Sequence, residues 1–290
     1  MLYAIIRAKN MNGVILLNKP AGMTSFDAVS KCRRILKEKK AGHTGTLDPN
    51  ASGLMIVLMG RYTKLAPFCV SDRKTYDAVF SFGMCTDTQD IWGSVTEERT
   101  PDVHSDEELR AAAVRLTGTY EQMPPMYSAI KVNGRKLYEY ARKGIEIERK
   151  ARLITVHELA VSRIAENSFA MHACVSSGTY IRTLIQDYCA ELGELGTMTA
   201  LVRSGIDHLS AADAVSLEDL NENSTGIDPA AVVDPAWKLL PASDPIAVRN
   251  GRALLLEETA PKVILTSDGQ LLAAYEKGQD GLYHCVRGLF

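Results

Sequence analysis

No apolar run in this 290-residue sequence approaches the length of about 20 residues that a helix needs to cross a bilayer. Residues 1 to 6 are too short and badly flanked for a signal peptide, so the chain is expected in the cytoplasm. Its six cysteines, Cys32, Cys69, Cys85, Cys174, Cys189 and Cys285, include no C-x-x-C pair and have no histidine cluster beside them. Zinc-site and disulfide-framework patterns are therefore missing, core thiols are expected, and nothing calls for a metal or a cofactor. There is no internal repeat and no low-complexity segment. Neither charge sign is in large excess, the formal net charge being −2. What is present is 46% hydrophobic residues, ample for a core at this length.

The near-neutral total hides a segregation. Residues 1–152 hold 24 Lys and Arg against 17 Asp and Glu, whereas residues 153–290 hold 9 against 18. Basic residues cluster at Lys31, Arg33, Arg34, Lys37, Lys39 and Lys40, at Arg135, Lys136, Arg142 and Lys143, and at Arg149, Lys150 and Arg152. Three such clusters in one half suit a surface that tracks phosphates, and so a nucleic-acid partner.

Local patterns give the elements. Thr24-Ser25 predicts a cap for a helix from about Phe26 to Lys37, with Phe26, Val29 and Leu36 inward. Leu54 to Met59 reads as a buried strand, and Arg73 to Phe82 as a strand with Tyr76, Ala78, Phe80 and Phe82 on one face. Asn133-Gly134 signals a tight turn before a short helix from Leu137 to Arg142. Val156 to Ile164 and Phe169 to Ser176 form an expected hairpin, and Thr179 is expected to cap a helix carrying Ile181, Leu184, Ile185, Tyr188 and Leu192 inward. Beyond about residue 240 short strands and turns predict a small β appendage. Strands and helices without regular βαβ alternation predict an α+β fold.

The most informative stretch is Gly42-His43-Thr44-Gly45-Thr46-Leu47-Asp48-Pro49-Asn50-Ala51-Ser52-Gly53. Pro49 pushes Asp48 toward an extended backbone, and the glycines allow tight turns or close approach of another molecule. Four further segments accompany it in order: Asn18-Lys19-Pro20-Ala21-Gly22-Met23-Thr24-Ser25 before it, then Thr86-Asp87-Thr88-Gln89-Asp90, Pro124-Pro125-Met126-Tyr127-Ser128-Ala129-Ile130-Lys131, and Ser177-Gly178-Thr179-Tyr180-Ile181-Arg182. Over roughly residues 12 to 210 the chain closely resembles the bacterial TruB family of tRNA pseudouridine synthases.

The resemblance implies a pseudouridine-synthase-like catalytic domain over residues 11–240, its mixed, mostly antiparallel sheet flanked by helices. It would follow an N-terminal extension, residues 1–10, and precede a short PUA-like RNA-binding module, residues 241–290. It implies a monomer without obligate protein partner that isomerises the TΨC-loop uridine of tRNA to pseudouridine. Breaking N1–C1′ and rejoining through C5 requires no redox step, and one ionised carboxylate suffices. Asp48 can trap the sugar, attack uracil C6 or assist loss of the C2′ proton. It needs a cationic neighbour, and Arg182 is expected in the first turn of its helix, where an acidic partner offsets the helix dipole. The matching family arginine pairs with the catalytic aspartate.

A stacked uridine must be flipped out at a cost of a few kcal/mol. By the resemblance, His43 fills the space the base leaves, Tyr76 offers a ring and a hydroxyl, Tyr180 and Leu201 line the uracil pocket, and Asp90 contacts RNA. Lys19, Pro20 and Lys64 match as well, for structure or phosphate contact. Three other readings use the same residues: a guide-RNA-dependent synthase, a non-catalytic RNA-binding or RNA-folding protein, and a metal-dependent hydrolase built on Asp87 and Asp90.

Overall fold

The computed structural model describes residues 11–290, and the extension expected over residues 1–10 lies outside the described residues. The chain divides into two compact units, one running up to Ser71 and resuming over Leu209–Phe290, the other being Asp72–His208.

In the first unit the chain forms β1 (Gly13–Lys19), α1 (Ser25–Ile35), β2 (Ala41–His43) and β3 (Ser52–Met59). Strands β1 and β3 pair antiparallel from Gly13↔Met59 to Lys19↔Gly53, and β2 pairs with β3 at His43↔Val57. Residues Leu54 to Met59 are buried, the strand expected from an unbroken apolar run. Thr24 caps α1 in a reciprocal box with Asp27. The inward stripe is Ser25, Ala28, Val29, Cys32 and Leu36, whereas Phe26, expected inside, is 70% exposed. The Ser25 hydroxyl sets that rotation: it accepts the Leu47 N–H at 2.9 Å and donates to the Leu47 carbonyl at 3.2 Å, turning the next position outward.

The second unit holds β4 (Arg73–Phe82), β5 (Met84–Thr86), β6 (Val95–Glu98), α2 (Asp106–Leu116), β7 (Gly118–Gln122), β8 (Lys131–Val132), β9 (Arg135–Lys136), α3 (Leu137–Ala141), β10 (Arg152–Ala165), β11 (Ser168–Ser176), α4 (Ile181–Glu191) and β12 (Gly196–Ile206). Its sheet runs β12-β4-β11-β10-β7, every pair antiparallel. Strand β4 buries Tyr76, Ala78, Phe80 and Phe82, the alternation expected. Phe80 stacks on Phe169 at 5.4 Å between ring centroids and meets the edge of Tyr188 from α4. Burying such side chains is worth about 1.5–3 kcal/mol each. Helix α2 was not expected, although Ser105 and Glu108 form a capping box at its start. Thr179 does not cap α4: its hydroxyl turns back to the Ser176 carbonyl, and Tyr180 is the cap residue. Asn133 and Gly134 both have positive φ, the type I′ geometry that closes the β8–β9 hairpin.

From Leu209 the first unit resumes with β13 (Leu209–Ser210), β14 (Val215–Ser216), β15 (Lys238–Pro241), α5 (Pro245–Arg249), β16 (Lys262–Ser267), β17 (Gln270–Lys277) and β18 (Tyr283–Gly288). Strand β14 pairs parallel with β1. The last four strands form a separate sheet in the order β15-β16-β17-β18, the β appendage expected, packed on Val248, Leu265, Tyr275 and Tyr283. The fold is α+β, with mostly antiparallel sheet pairing and a small C-terminal sheet.

Candidate active site

Asp48 is half-buried at the start of a turn whose Asp48 carbonyl accepts the Ala51 N–H at 3.1 Å. The next carbonyl, that of Pro49, receives three donors: Gly22 N–H at 3.0 Å, Met23 N–H at 3.2 Å and Lys19 Nζ at 3.1 Å. Lys19 is 0% exposed, and its ammonium also donates to the carbonyls of Pro20 at 2.9 Å and Met23 at 2.8 Å. A buried ammonium is tolerable only when its protons are satisfied, and here carbonyl dipoles do it. The Asn18–Ser25 motif and the Asp48 motif are thus one construction: Lys19 and two amides hold the residue after the acid, and Ser25 holds the residue before it. Of the two roles open to Lys19, burial favours structure. His43, at the end of β2, and Gly45 are half-buried on the same loop.

In the second unit Tyr76 is 8% exposed on β4, and Leu201 is 7% exposed on β12. The register sets Tyr76 opposite Arg203 and Ala78 opposite Leu201, so these side chains share one face. Arg203, 1% exposed, escaped the sequence reading. Its signal was present, because it stands in the inward phase of the alternation Leu201, Arg203, Gly205. Its cation, after burial itself, depresses the Lys74 ammonium below its usual value.

Arg182 lies in the first turn of α4 and is 4% exposed. One guanidinium nitrogen donates to the Thr88 carbonyl at 2.7 Å and the other to the Tyr127 carbonyl at 2.8 Å. Two more of the sequence motifs therefore meet on this side chain. The Thr86–Asp90 loop is braced from within: Asp90 Oδ1 accepts from Thr88 Oγ1 at 2.7 Å and Trp92 N–H at 3.2 Å, and Asp87 accepts from Ser94 N–H and Tyr127 Oη. Asp87 and one oxygen of Asp90 are thereby engaged in turn geometry, and among the described residues no group of three metal-ligating side chains gathers. Tyr180 is half-buried, its main chain held by Gln122, a second residue the sequence reading missed.

Lys64 has a setting of its own in the first unit. It is exposed on the 3-10 turn Gly60–Phe68, where Nζ donates to the Phe290 carbonyl at 2.7 Å and lies 5.7 Å from the Phe290 ring centre. Two of the basic clusters form open hollows, one of about 290 Å³ at Arg135, Arg142 and Lys143 and one of about 420 Å³ at Arg33, Arg34, Lys37 and Lys39.

Residues 33–181 match the family described as TruB family pseudouridylate synthase (N terminal domain). The chain is 41% identical over 284 residues to tRNA pseudouridine synthase B of a Bacillus cereus strain, covering 92% of each. This chain belongs to the TruB family. A second TruB relative, tRNA pseudouridine synthase B of Geobacillus thermodenitrificans, is 40% identical over 287 residues, spanning 92% of this chain and 95% of its own length. The TruB chain also resembles a solved structure of a Cbf5-Nop10-Gar1 complex, with a TM-score of 0.69 over 96% of this chain and 85% of that one. At 23% identity that likeness is one of fold.

Proposed function

We propose that this TruB-family chain isomerises the TΨC-loop uridine of tRNA to pseudouridine, with Asp48 as the catalytic carboxylate. The observation that carries the reading is the Asp48 loop, pinned through the Pro49 carbonyl by Lys19, Gly22 and Met23, in a chain 41% identical to a tRNA pseudouridine synthase over 92% of its length. Such bracing is what a reaction needs when one carboxylate must meet one sugar carbon, because misplacement by about 1 Å costs on the order of 10²-fold in rate.

In the reaction the N1–C1′ bond breaks, the freed uracil turns, and C5–C1′ forms. C5 gives up a proton and N1 gains one, so no redox partner and no water is consumed. Asp48 acts as the anion, by trapping C1′, by adding to C6 or by taking the C2′ proton. Arg182 is its cation, and the two carbonyls on its guanidinium hold that charge in place. Tyr76 stacks on the uracil, Tyr180 and Leu201 close the pocket around it, and His43 occupies the gap in the RNA stack. Asp90 keeps Oδ2 for an RNA donor, and Lys64 with the Arg33 and Arg142 clusters meets phosphates. The 238–290 sheet serves as a PUA-like grip on tRNA outside the loop. A tRNA substrate also suits the cytoplasmic monomer expected from the sequence.

The test is mass mapping of tRNA from cells lacking this protein, complemented with the wild type or with Asp48→Asn. The TΨC-loop pseudouridine should vanish, return with wild type, and stay absent with Asp48→Asn, whose tRNA affinity should remain within about tenfold, 1.4 kcal/mol. Pseudouridine restored by Asp48→Asn at even a hundredth of the wild-type rate would remove Asp48 from the chemistry.

A further inference from the structure

The proposed chemistry gives no part to Gln122, yet this side chain is 2% exposed and hydrogen-bonded through both its oxygen and its nitrogen. Its Oε1 accepts the Tyr180 N–H at 2.8 Å, and its Nε2 donates to the Tyr180 carbonyl at 3.3 Å. The amide thus pairs with the Tyr180 main chain as a neighbouring strand would. Its strand neighbour Tyr120 donates Oη to the Asp187 carboxylate, on the second turn of α4, at 2.9 Å. Burial raises the Asp187 carboxyl above its ordinary value, and the Tyr120 bond opposes that. Tyr120 and Gln122 both belong to β7, so one strand grips α4 at its cap residue and again at Asp187. Tyr180 has no side-chain cap of its own.

We propose that Gln122 is a positioning residue for the isomerisation: through the Tyr180 main chain it fixes the first turn of α4, and with it Tyr180 and Arg182. The inference rests on the roles given above to those two residues. An apolar residue here leaves the Tyr180 N–H and carbonyl each short of a partner, and the helix start shifts to recover them.

Two variants of the full chain test it, in single-turnover assays at saturating enzyme on a tRNA transcript. Gln122→Leu should slow the rate by about 10²-fold at all pH, with tRNA affinity within about threefold and faster hydrogen exchange at the Tyr180 and Ile181 amides. Gln122→Glu makes the role visible in a pH profile. A protonated carboxyl can accept and donate as the amide does, whereas the ionised form cannot donate and sets a second negative charge beside Asp187. The groups around it are Asp187 from α4, Tyr120 from β7 and Arg152, its register partner on β10. Relative to wild type, Gln122→Glu should be near normal at about pH 5.5 and slowed by about tenfold or more at about pH 8.5. A normal rate for folded Gln122→Leu, a pH-independent loss for Gln122→Glu, or a loss confined to affinity would overturn the proposal. A wild-type chain that makes no pseudouridine would overturn the functional reading, and faster exchange at Tyr180 in Gln122→Leu would show the clamp standing without it.

Discussion

Tyr76 has two separable assets, and its setting says how to divide them. The ring is held at 8% exposure on a central strand, between Ala173 on β11 and Arg203 on β12. Tyr76→Phe keeps the stacking face and loses the hydroxyl, whereas Tyr76→Leu loses both. If the hydroxyl carries a proton, Tyr76→Phe should cut the single-turnover rate by about 10²-fold or more with tRNA affinity intact. A near-normal Phe variant beside a dead Leu variant would leave Tyr76 as a platform alone. At this scale the sequence was legible wherever a motif confined one residue, as Pro49 confines Asp48. It was not legible where a polar side chain works from inside the fold: Gln122 and Arg203 look like surface residues until strand phase places them.

Elements were readable when one face is buried and the period is clean. Strand β4 showed its alternation because both flanking strands pair with it and only one face is packed. Helix α1 was found with Val29 and Leu36 inward as expected, but Phe26 was misplaced, since hydropathy favoured it whereas the hydrogen bonds of Ser25 to Leu47 decide the rotation. The C-terminal sheet offers a test at the same scale. Glu258 accepts N–H bonds from Thr259 at 2.8 Å and Ala260 at 2.9 Å, and its other oxygen lies 2.8 Å from Lys238 Nζ on β15. The Lys238 bond first, then the two amides, hold its carboxyl down at about 2 from an ordinary 4.5. A depressed carboxyl stabilises the folded state above its unfolded value and loses that contribution as pH falls toward its folded one. Glu258→Gln should therefore melt earlier than wild type at pH 7, and the two melting curves should converge between about pH 4.5 and about pH 2. Coincident curves throughout would mean the Glu258 contacts stabilise nothing.

For the whole molecule, the positive excess of residues 1–152 predicts where RNA affinity resides. Binding to tRNA should fall log-linearly with salt, each neutralised phosphate adding a slope of about −0.7 to −0.9. Reversing Arg33, Arg34, Lys37 and Lys39 to glutamate should flatten that slope, and an unchanged slope would place the phosphates elsewhere. Removal of the small sheet has to respect its first strand. Residue 241, the boundary suggested by composition, is the last residue of β15, so the cut belongs between Trp237, which packs edge-on against Phe68 at 4.7 Å, and Lys238. Without residues 238–290 the enzyme should bind whole tRNA more weakly while keeping its saturated rate within about tenfold. A folded truncation that is dead on a saturating TΨC stem-loop would make the sheet part of the catalytic apparatus.

The ammonium of Lys19 also works as a built-in reporter. A reagent that acylates amines needs a free lone pair on nitrogen, and Lys19, 0% exposed and donating to three carbonyls, can offer one only when the Pro20, Met23 and Pro49 carbonyls all release it. In a timed labelling experiment read by peptide mass, Lys19 should trail exposed lysines such as Lys39 by orders of magnitude. Its rate would measure how often the loop that carries Asp48 comes undone in the native protein. If a tRNA ligand braces that loop, Lys19 labelling should slow further on its addition, in the absence of any turnover.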